Sequence, residues 1–302
     1  MEKFSDILLG SSKDKIRLLQ ILPRYQQPRI KPGLFSSLEI MKDYLFPSLS
    51  ARTFSCTLKE TSLKDHPEYF ALSYAQGNST PSERIYIDGM DVPITGDLKT
   101  ALQHLQHETQ VVNIWIDALC KDSDEKAKAE HVMKMKDIYQ EATHVMVWLG
   151  PASDCSDELM ACLERIGRSC EDLELTRITP AILFDLSKRP DEPYSRDVTA
   201  KLEQLYGKFD YLLPTVFPFE AYRAFLGREW WRSAGRQHLG VARGVTFTCG
   251  EKRISLDYLN NAHAFLLGYS LSALEGTADL EKGVEANLRW VVEALLEKAS
   301  SG

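Results

Sequence analysis

Asn113-Ile114-Trp115-Ile116-Asp117-Ala118-Leu119-Cys120-Lys121-Asp122-Ser123-Asp124 (residues 113–124) is an apolar run that ends in a carboxylate, then a thiol, then a burst of charge. Val111 to Ile116 is apolar apart from Asn113, the pattern of a strand covered on both faces. On either side of it the period changes. Upstream, Leu98, Ala101, Leu102 and Leu105 fall at i, i+3, i+4 and i+7, one face of a helix, with Thr95 or Asp97 as its cap. Downstream, Ser123 or Asp124 starts a helix that runs to about Glu141 with Ala129, Val132, Met135, Ile138, Tyr139 and Ala142 on its core face. His144 to Leu149 is a second buried strand, closed by Gly150-Pro151, and a helix over about 154–168 follows. Helix, strand, helix, strand, helix over residues 95–168 predicts an α/β domain with parallel strands.

Ahead of this block, Ile16 to Pro23 reads as a strand ended by proline, Phe54 to Leu58 as a second and Tyr69 to Ala75 as a third. Arg84 to Ile94 predicts a hairpin, with Asp88-Gly89 as its type I′ turn. Residues 24–52 read as an insertion with a short helix near Leu38 to Leu45. Beyond the block, Pro180, Pro190, Pro193, Pro214 and Pro218 divide residues 171–217 into short helices and loops, with helices expected near 196–206 and 219–226. Val245 to Gly250 is a strand and turn, and two helices near 256–274 and 279–298 complete the chain. The expected organisation is one domain over residues 1–302: an α/β core at 16–168, a helical insertion or lid at 171–226, and a C-terminal strand with helices at 227–302.

Composition narrows the function classes. The 302 residues are 44% hydrophobic and 26% charged, the balance of an ordinary globular protein. A formal net charge of -7 and the lack of a Lys/Arg cluster argue against nucleic acid or an anionic membrane as partner. No apolar run is long enough to span a bilayer, and the N-terminus lacks a charged-then-apolar signal pattern, so a cytoplasmic protein is expected. The 6 cysteines form no C-x-x-C pair and read as free thiols. With no H-E-x-x-H either, no metal and no cofactor are expected. Dinucleotide-fold, phosphate-loop and G-x-S-x-G signatures are absent as well.

In open α/β sheets, ligands sit at the carboxyl ends of the strands. Two such ends carry unusual polar groups: Ser73-Tyr74-Ala75-Gln76-Gly77, and Asp117 to Cys120 followed by Lys121. If the strands are neighbours, Tyr74, Gln76, Asp117 and Cys120 line one crevice. Equally, Asp117 can cap the next turn and Cys120 can be a small buried hydrophobe. A third cluster is Glu229-Trp230-Trp231-Arg232, followed by Gln237-His238. One of the adjacent tryptophans is expected in the core and the other on a groove, where an arginine can stack on it or hold an anion. His238 is a candidate general base.

The order of these motifs resembles the fungal heterokaryon-incompatibility (HET) domain family. Ile16-Arg17-Leu18-Leu19-Gln20-Ile21-Leu22-Pro23 matches its opening strand. Tyr69 to Gly77 matches Y-x-A-L-S-Y-x-W-G, and Trp115 to Cys120 matches W-I-D-A-L-C. Val132, Met135, Ile138, Tyr139, Ala142, Val145 and Trp148-Leu149-Gly150 keep the register of the helix and strand that follow. The resemblance implies a flavodoxin-like, TIR-like sheet, mostly parallel and flanked by helices, with an added N-terminal β-hairpin region and C-terminal helices. It also implies a site of the kind that cleaves NAD at the nicotinamide–ribose bond, where a carboxylate stabilises an oxocarbenium-like centre.

Three family positions differ here. His238 stands where a W-x-x-Q-E glutamate is expected, Gln76 replaces the tryptophan of S-Y-x-W-G, and Lys121 follows Cys120 where the family continues with I-N-Q. A histidine supplies no fixed negative charge to an oxocarbenium ion. The expectation is therefore a diverged member that has lost NAD cleavage and binds a small ligand or a protein partner, with homo-oligomers open. The residues expected at its site are His238, Asp117 and Tyr74 as catalytic groups. Ser73, Gln76, Gly77, Cys120, Lys121, Trp230, Trp231, Arg232 and Gln237 are expected to contact the ligand. One alternative is a repurposed, cofactor-independent cyclase or isomerase of fungal secondary metabolism with His238 as its base. Another is an NAD hydrolase that uses Asp117 or Glu229 instead.

Overall fold

The computed structural model describes residues 15–24, 54–76, 80–120, 128–175, 178, 180–209 and 217–276. The chain divides into two units, Met1–Gly150 with His238–Gly244, and Pro151–Gln237 with Val245–Gly302. The short helix expected near 38–45 and the last helix expected over about 279–298 lie outside the described residues.

In the first unit, β1 (Lys15–Ile21), β2 (Ser55–Ser62), β3 (Phe70–Tyr74), β4 (Glu83–Ile87), β5 (Met90–Ile94), β6 (Val112–Ile116) and β7 (His144–Trp148) stand in the order β5-β4-β2-β1-β6-β3-β7. β6, β3 and β7 are parallel, as expected of the α/β block. The sheet as a whole is mixed: β2 also runs parallel to β4, whereas β1 runs antiparallel to both β2 and β6, and β4 antiparallel to β5. The two-residue side-chain period is the same in either direction, so alternation identifies a strand without orienting it.

Local chemistry explains the elements. Asp88 and Gly89 both take positive φ (51° and 79°), which a two-residue I′ hairpin turn requires, and they join Ile87 to Met90. Thr95 caps α1 (Gly96–Leu105), its Oγ1 accepting from the Leu98 N–H at 3.3 Å. Ile114, Trp115 and Ile116 are all buried on successive positions of β6, so both faces of the sheet are covered there. Directly after it comes α2 (Asp117–Cys120), and then α3 (Lys128–Glu141). Ile138 and Tyr139 of α3 are buried with Ala142, and the Tyr69 hydroxyl donates to the Ile138 carbonyl at 2.6 Å.

The His238–Gly244 segment is fastened to α3 and β7. Val145 donates its N–H to the Gly244 carbonyl at 2.9 Å, and Arg243 pairs with Glu141 at 3.0 Å. Gly244 lies so close to His144 that a Cβ there would meet the imidazole Nδ1 at 2.7 Å.

In the second unit, α4 (Ser156–Asp172), α5 (Pro180–Ser187), α6 (Pro193–Phe209) and α7 (Phe219–Gly227) precede the hairpin of β8 (Val245–Cys249) and β9 (Lys252–Ser255), and α8 (Leu256–Gly276) follows it. Three of the prolines expected to divide this region do so by starting its helices: Pro180 and Pro193 are first residues, and Pro218 precedes α7. A proline there loses no helical hydrogen bond, because that N–H has no partner within the helix. Tyr206 and Phe209 of α6 meet Phe265 of α8 at 5.4 Å between ring centroids.

Among the described residues no helix is long and apolar enough to cross a membrane. The same residues hold no group of three or more His, Cys, Asp and Glu placed to bind a metal.

Candidate functional site

The parallel strands β6, β3 and β7 end together, with register pairs Leu72↔Ile116 and Tyr74↔Trp148. Their C-terminal rim carries Asp117, Tyr74 and Trp148, the place where open sheets hold ligands. Alternation then sorts the rim into two faces. Ala71 pairs with Trp115 and Ser73 with Val147, so Ser73 shares its face with Trp115, while Asp117 opens α2 just past the strand end, where its charge acts on both Tyr139 and Tyr74. Tyr74 is on the other face with Trp148.

On the Ser73 face, α3 contributes Tyr139. Its ring meets Trp115 edge-on at 5.9 Å and 73°, and its hydroxyl shares a hydrogen bond with the Ser73 side chain. Ser73 and Tyr139 are each 3% exposed. The His238 ring lies against the same Tyr139 ring at 5.5 Å and 33°. Burial first, and then the charge of Asp117, pushes the Tyr139 phenol up to about 12 against the pull of the Ser73 hydrogen bond. The Tyr74 phenol is pushed up to about 12 by the same two causes. Both remain protonated donors at neutral pH.

Ser73, Tyr139, His238 and Asp117 thus form one cluster, with Tyr74 beside Asp117 across the rim. Cys120 lies within reach of the Asp117 charge. Its thiol is buried, hydrogen-bonded to the backbone at Ile116 and Leu19, and pushed up to about 12, mostly by burial, so it is not a nucleophile. Gln76 is exposed, and Gly77 and Lys121 lie outside the described residues. Gln237 belongs to the 3-10 turn Ala234–Val241 that also carries His238, and its side chain is not among those described.

Trp230, Trp231 and Arg232 belong to the second unit. Neither tryptophan lines a groove alone: both pack on Phe247, Trp230 edge-on at 5.3 Å and Trp231 stacked at 5.4 Å. Their 3-10 turn, Glu229–Arg232, makes this possible, because its tighter winding sets adjacent side chains differently from an α-helix. The Trp231 Nε1–H donates to the Phe225 carbonyl at 2.8 Å, while Arg232 and Glu229 are exposed.

Tyr139 is the site residue that sequence reading assigned to the core alone. The available signal was a phenol in an otherwise apolar helix stripe, since a buried hydroxyl needs a partner.

The cluster can hold a ligand through neutral hydroxyl donors, one carboxylate and an imidazole, and His238 beside a phenol is able to accept or return a proton. No solved structure matches this chain. The chain is 28% identical over 219 residues to heterokaryon incompatibility protein 6, OR allele, of Neurospora crassa, a stretch that covers 66% of this chain and 31% of that protein. Residues 69–193 match the model of the heterokaryon incompatibility protein (HET) family, a span that includes Ser73, Tyr74, Asp117 and Tyr139 and ends before His238. Residues 69–193, which carry this strand rim, are thus similar to the HET-domain family.

Proposed function

We propose that this chain, as a HET-domain protein, binds a small ligand at the Ser73–Asp117–Tyr139–His238 cluster and does not cleave NAD. The observation that carries the reading is the His238 ring resting on Tyr139 at 5.5 Å. Against the family's W-x-x-Q-E pattern, the position that would bring a glutamate to this cluster brings an imidazole. An imidazole has no fixed negative charge with which to stabilise an oxocarbenium ion, and its protonated form opposes one. Asp117 remains as a carboxylate, beside two phenols that stay protonated and suit hydrogen bonding to a ligand.

A second reading draws on the same contact. His238 packs on Tyr139, which is hydrogen-bonded to Ser73, and an imidazole beside such a pair suits cofactor-independent cyclisation or isomerisation of a small molecule of secondary metabolism. The least favoured reading is NAD hydrolysis by Asp117, since Glu229 is exposed in the second unit.

The test is nicotinamide release from NAD by the purified protein, with His238→Glu in parallel. A silent native protein beside an active His238→Glu variant supports the proposal. Release by the native protein that Asp117→Asn abolishes overturns it. If both proteins are silent, the proposal stands for NAD, and the variant has not restored the family chemistry.

A further inference from the structure

The opposite face of the same rim sets Tyr74 beside groups the proposed function leaves unused, Trp148 and Arg17. Trp148 is 4% exposed, and its indole Nε1–H is buried with no hydrogen-bond acceptor among the described residues. Buried donors without acceptors are rare in native proteins and point to a water, an ion or a ligand that completes them. Trp148 ends β7 in register with Tyr74, whose phenol is protonated at neutral pH. The ring of His104, from α1, lies 4.8 Å from the indole.

Register brings a cation to this face. Leu19 pairs with Ile114, and β1 runs antiparallel to β6, so Arg17 lies beside the end of β6, two positions along β1 on the face of Leu19. Ile114 and Ile116 share that face, Leu72 pairs with Ile116, and Tyr74 follows Leu72 by two. Arg17, Tyr74 and Trp148 are therefore on one side of the sheet at one end. Arg17 is only 6% exposed, and its charge reaches the Cys120 thiol just beyond β6. A buried guanidinium, a phenol and an indole offer mostly donors, which suits an anionic oxygen, with Glu60 opposite Arg17 on β2 and Asp117 near Tyr74 as the carboxylates around them.

We propose that this face is an anion subsite, where Trp148 Nε1–H and the Tyr74 hydroxyl donate to a carboxylate or phosphate oxygen of a small ligand and Arg17 supplies the positive charge. The subsite lies across the sheet from Ser73 and Tyr139, and it holds whether or not His238 acts on what is bound.

The experiment follows the indole N–H resonances of the full chain labelled with 15N-tryptophan. The chain has 5 tryptophans, and the Trp148 signal is the one lost in Trp148→Phe. Sodium acetate and inorganic phosphate are titrated separately at constant ionic strength, with chloride as the control. The expected result is a saturable shift of the Trp148 signal with acetate or phosphate and none with chloride. The tighter of the two identifies the ligand group. Tyr74→Phe and Arg17→Gln each weaken the binding about tenfold or more, the loss of a charge-assisted hydrogen bond. A Trp148 signal that stays still, that moves equally with chloride, or that moves alike in native protein and Tyr74→Phe overturns the proposal. The unshifted signals of the other tryptophans show that each variant is folded. If Arg17→Gln fails to fold, Tyr74→Phe decides.

Discussion

Removing the Tyr139 hydroxyl tests whether the candidate cluster is built as described. Tyr139→Phe keeps the ring, and with it the contacts to Trp115 at 5.9 Å and His238 at 5.5 Å. It takes away one end of the Ser73–Tyr139 hydrogen bond and leaves a Ser73 hydroxyl on a residue only 3% exposed. A buried polar group left without its partner costs about 1–3 kcal/mol, and the middle of that range, about 2 kcal/mol, is expected here. Ser73→Ala strands the phenol instead and should cost a similar amount. The double variant removes both ends together and should fall short of the sum of the singles by about 1 kcal/mol, the net worth of the bond. In urea, with a slope of about 3 kcal/mol per M, each single variant lowers the midpoint by roughly 0.7 M without changing the slope. Additivity of the singles to within about 0.3 kcal/mol would refute the argument, because two hydroxyls that do not interact lose nothing jointly.

Gly167→Ala should destabilise the second unit by about 2–3 kcal/mol, since a Cβ there would sit 2.5 Å from the Tyr258 carbonyl oxygen and 2.7 Å from its Cα, and backbone yields little; an unchanged melting temperature would contradict this. Under native conditions a thiol reagent should label the exposed Cys155 quickly and the half-buried Cys162 slowly, and spare Cys56, Cys120 and Cys170, whose thiols burial pushes up to about 12. Labelling of Cys120 at the rate of Cys155 would place it outside the core. Burial holds His144 below its ordinary value, so the neutral ring is favoured in the folded state. Its contribution to stability is present above pH of about 6.5 and is lost as pH falls through the lower folded value. Urea midpoints should therefore drop more on acidification in the native protein than in His144→Gln, and equal drops would show that His144 does not contribute.

Much of the architecture could be read from period and turn chemistry. Asp88-Gly89 and the Thr95 cap are local signals, each decided by a few adjacent residues, and both are found as expected. Strand direction is a different kind of property. Ile16 to Ile21 is a buried apolar run that reads the same whether its neighbours run with it or against it, so the antiparallel placement of β1 beside β6 is not encoded in its pattern. β9 is four residues, Lys-Arg-Ile-Ser, with one buried position, too short for alternation to register.

The candidate rim could be read as a list of residues but not by face. Ser73 and Tyr74 are neighbours in a strand, and neighbours in a strand point to opposite sides of the sheet. Read as one motif they suggest one crevice; the register sends Ser73 to Tyr139 and Tyr74 to Trp148. The same parity separates two kinds of chemistry. One face has a carboxylate, two hydroxyls and an imidazole, groups able to exchange protons. The other has an indole, a phenol and a guanidinium, groups that donate hydrogen bonds and accept none at neutral pH apart from the phenol oxygen. His238 reaches the first face through contacts that span about a hundred residues of chain, Arg243 to Glu141 and Gly244 to Val145, which no local pattern announces. A substitution at Ser73 and one at Tyr74 should accordingly be independent despite their adjacency, whereas Ser73 and Tyr139, 66 positions apart, should be coupled. Sequence distance is thus a poor guide to coupling at this rim, and strand parity a good one.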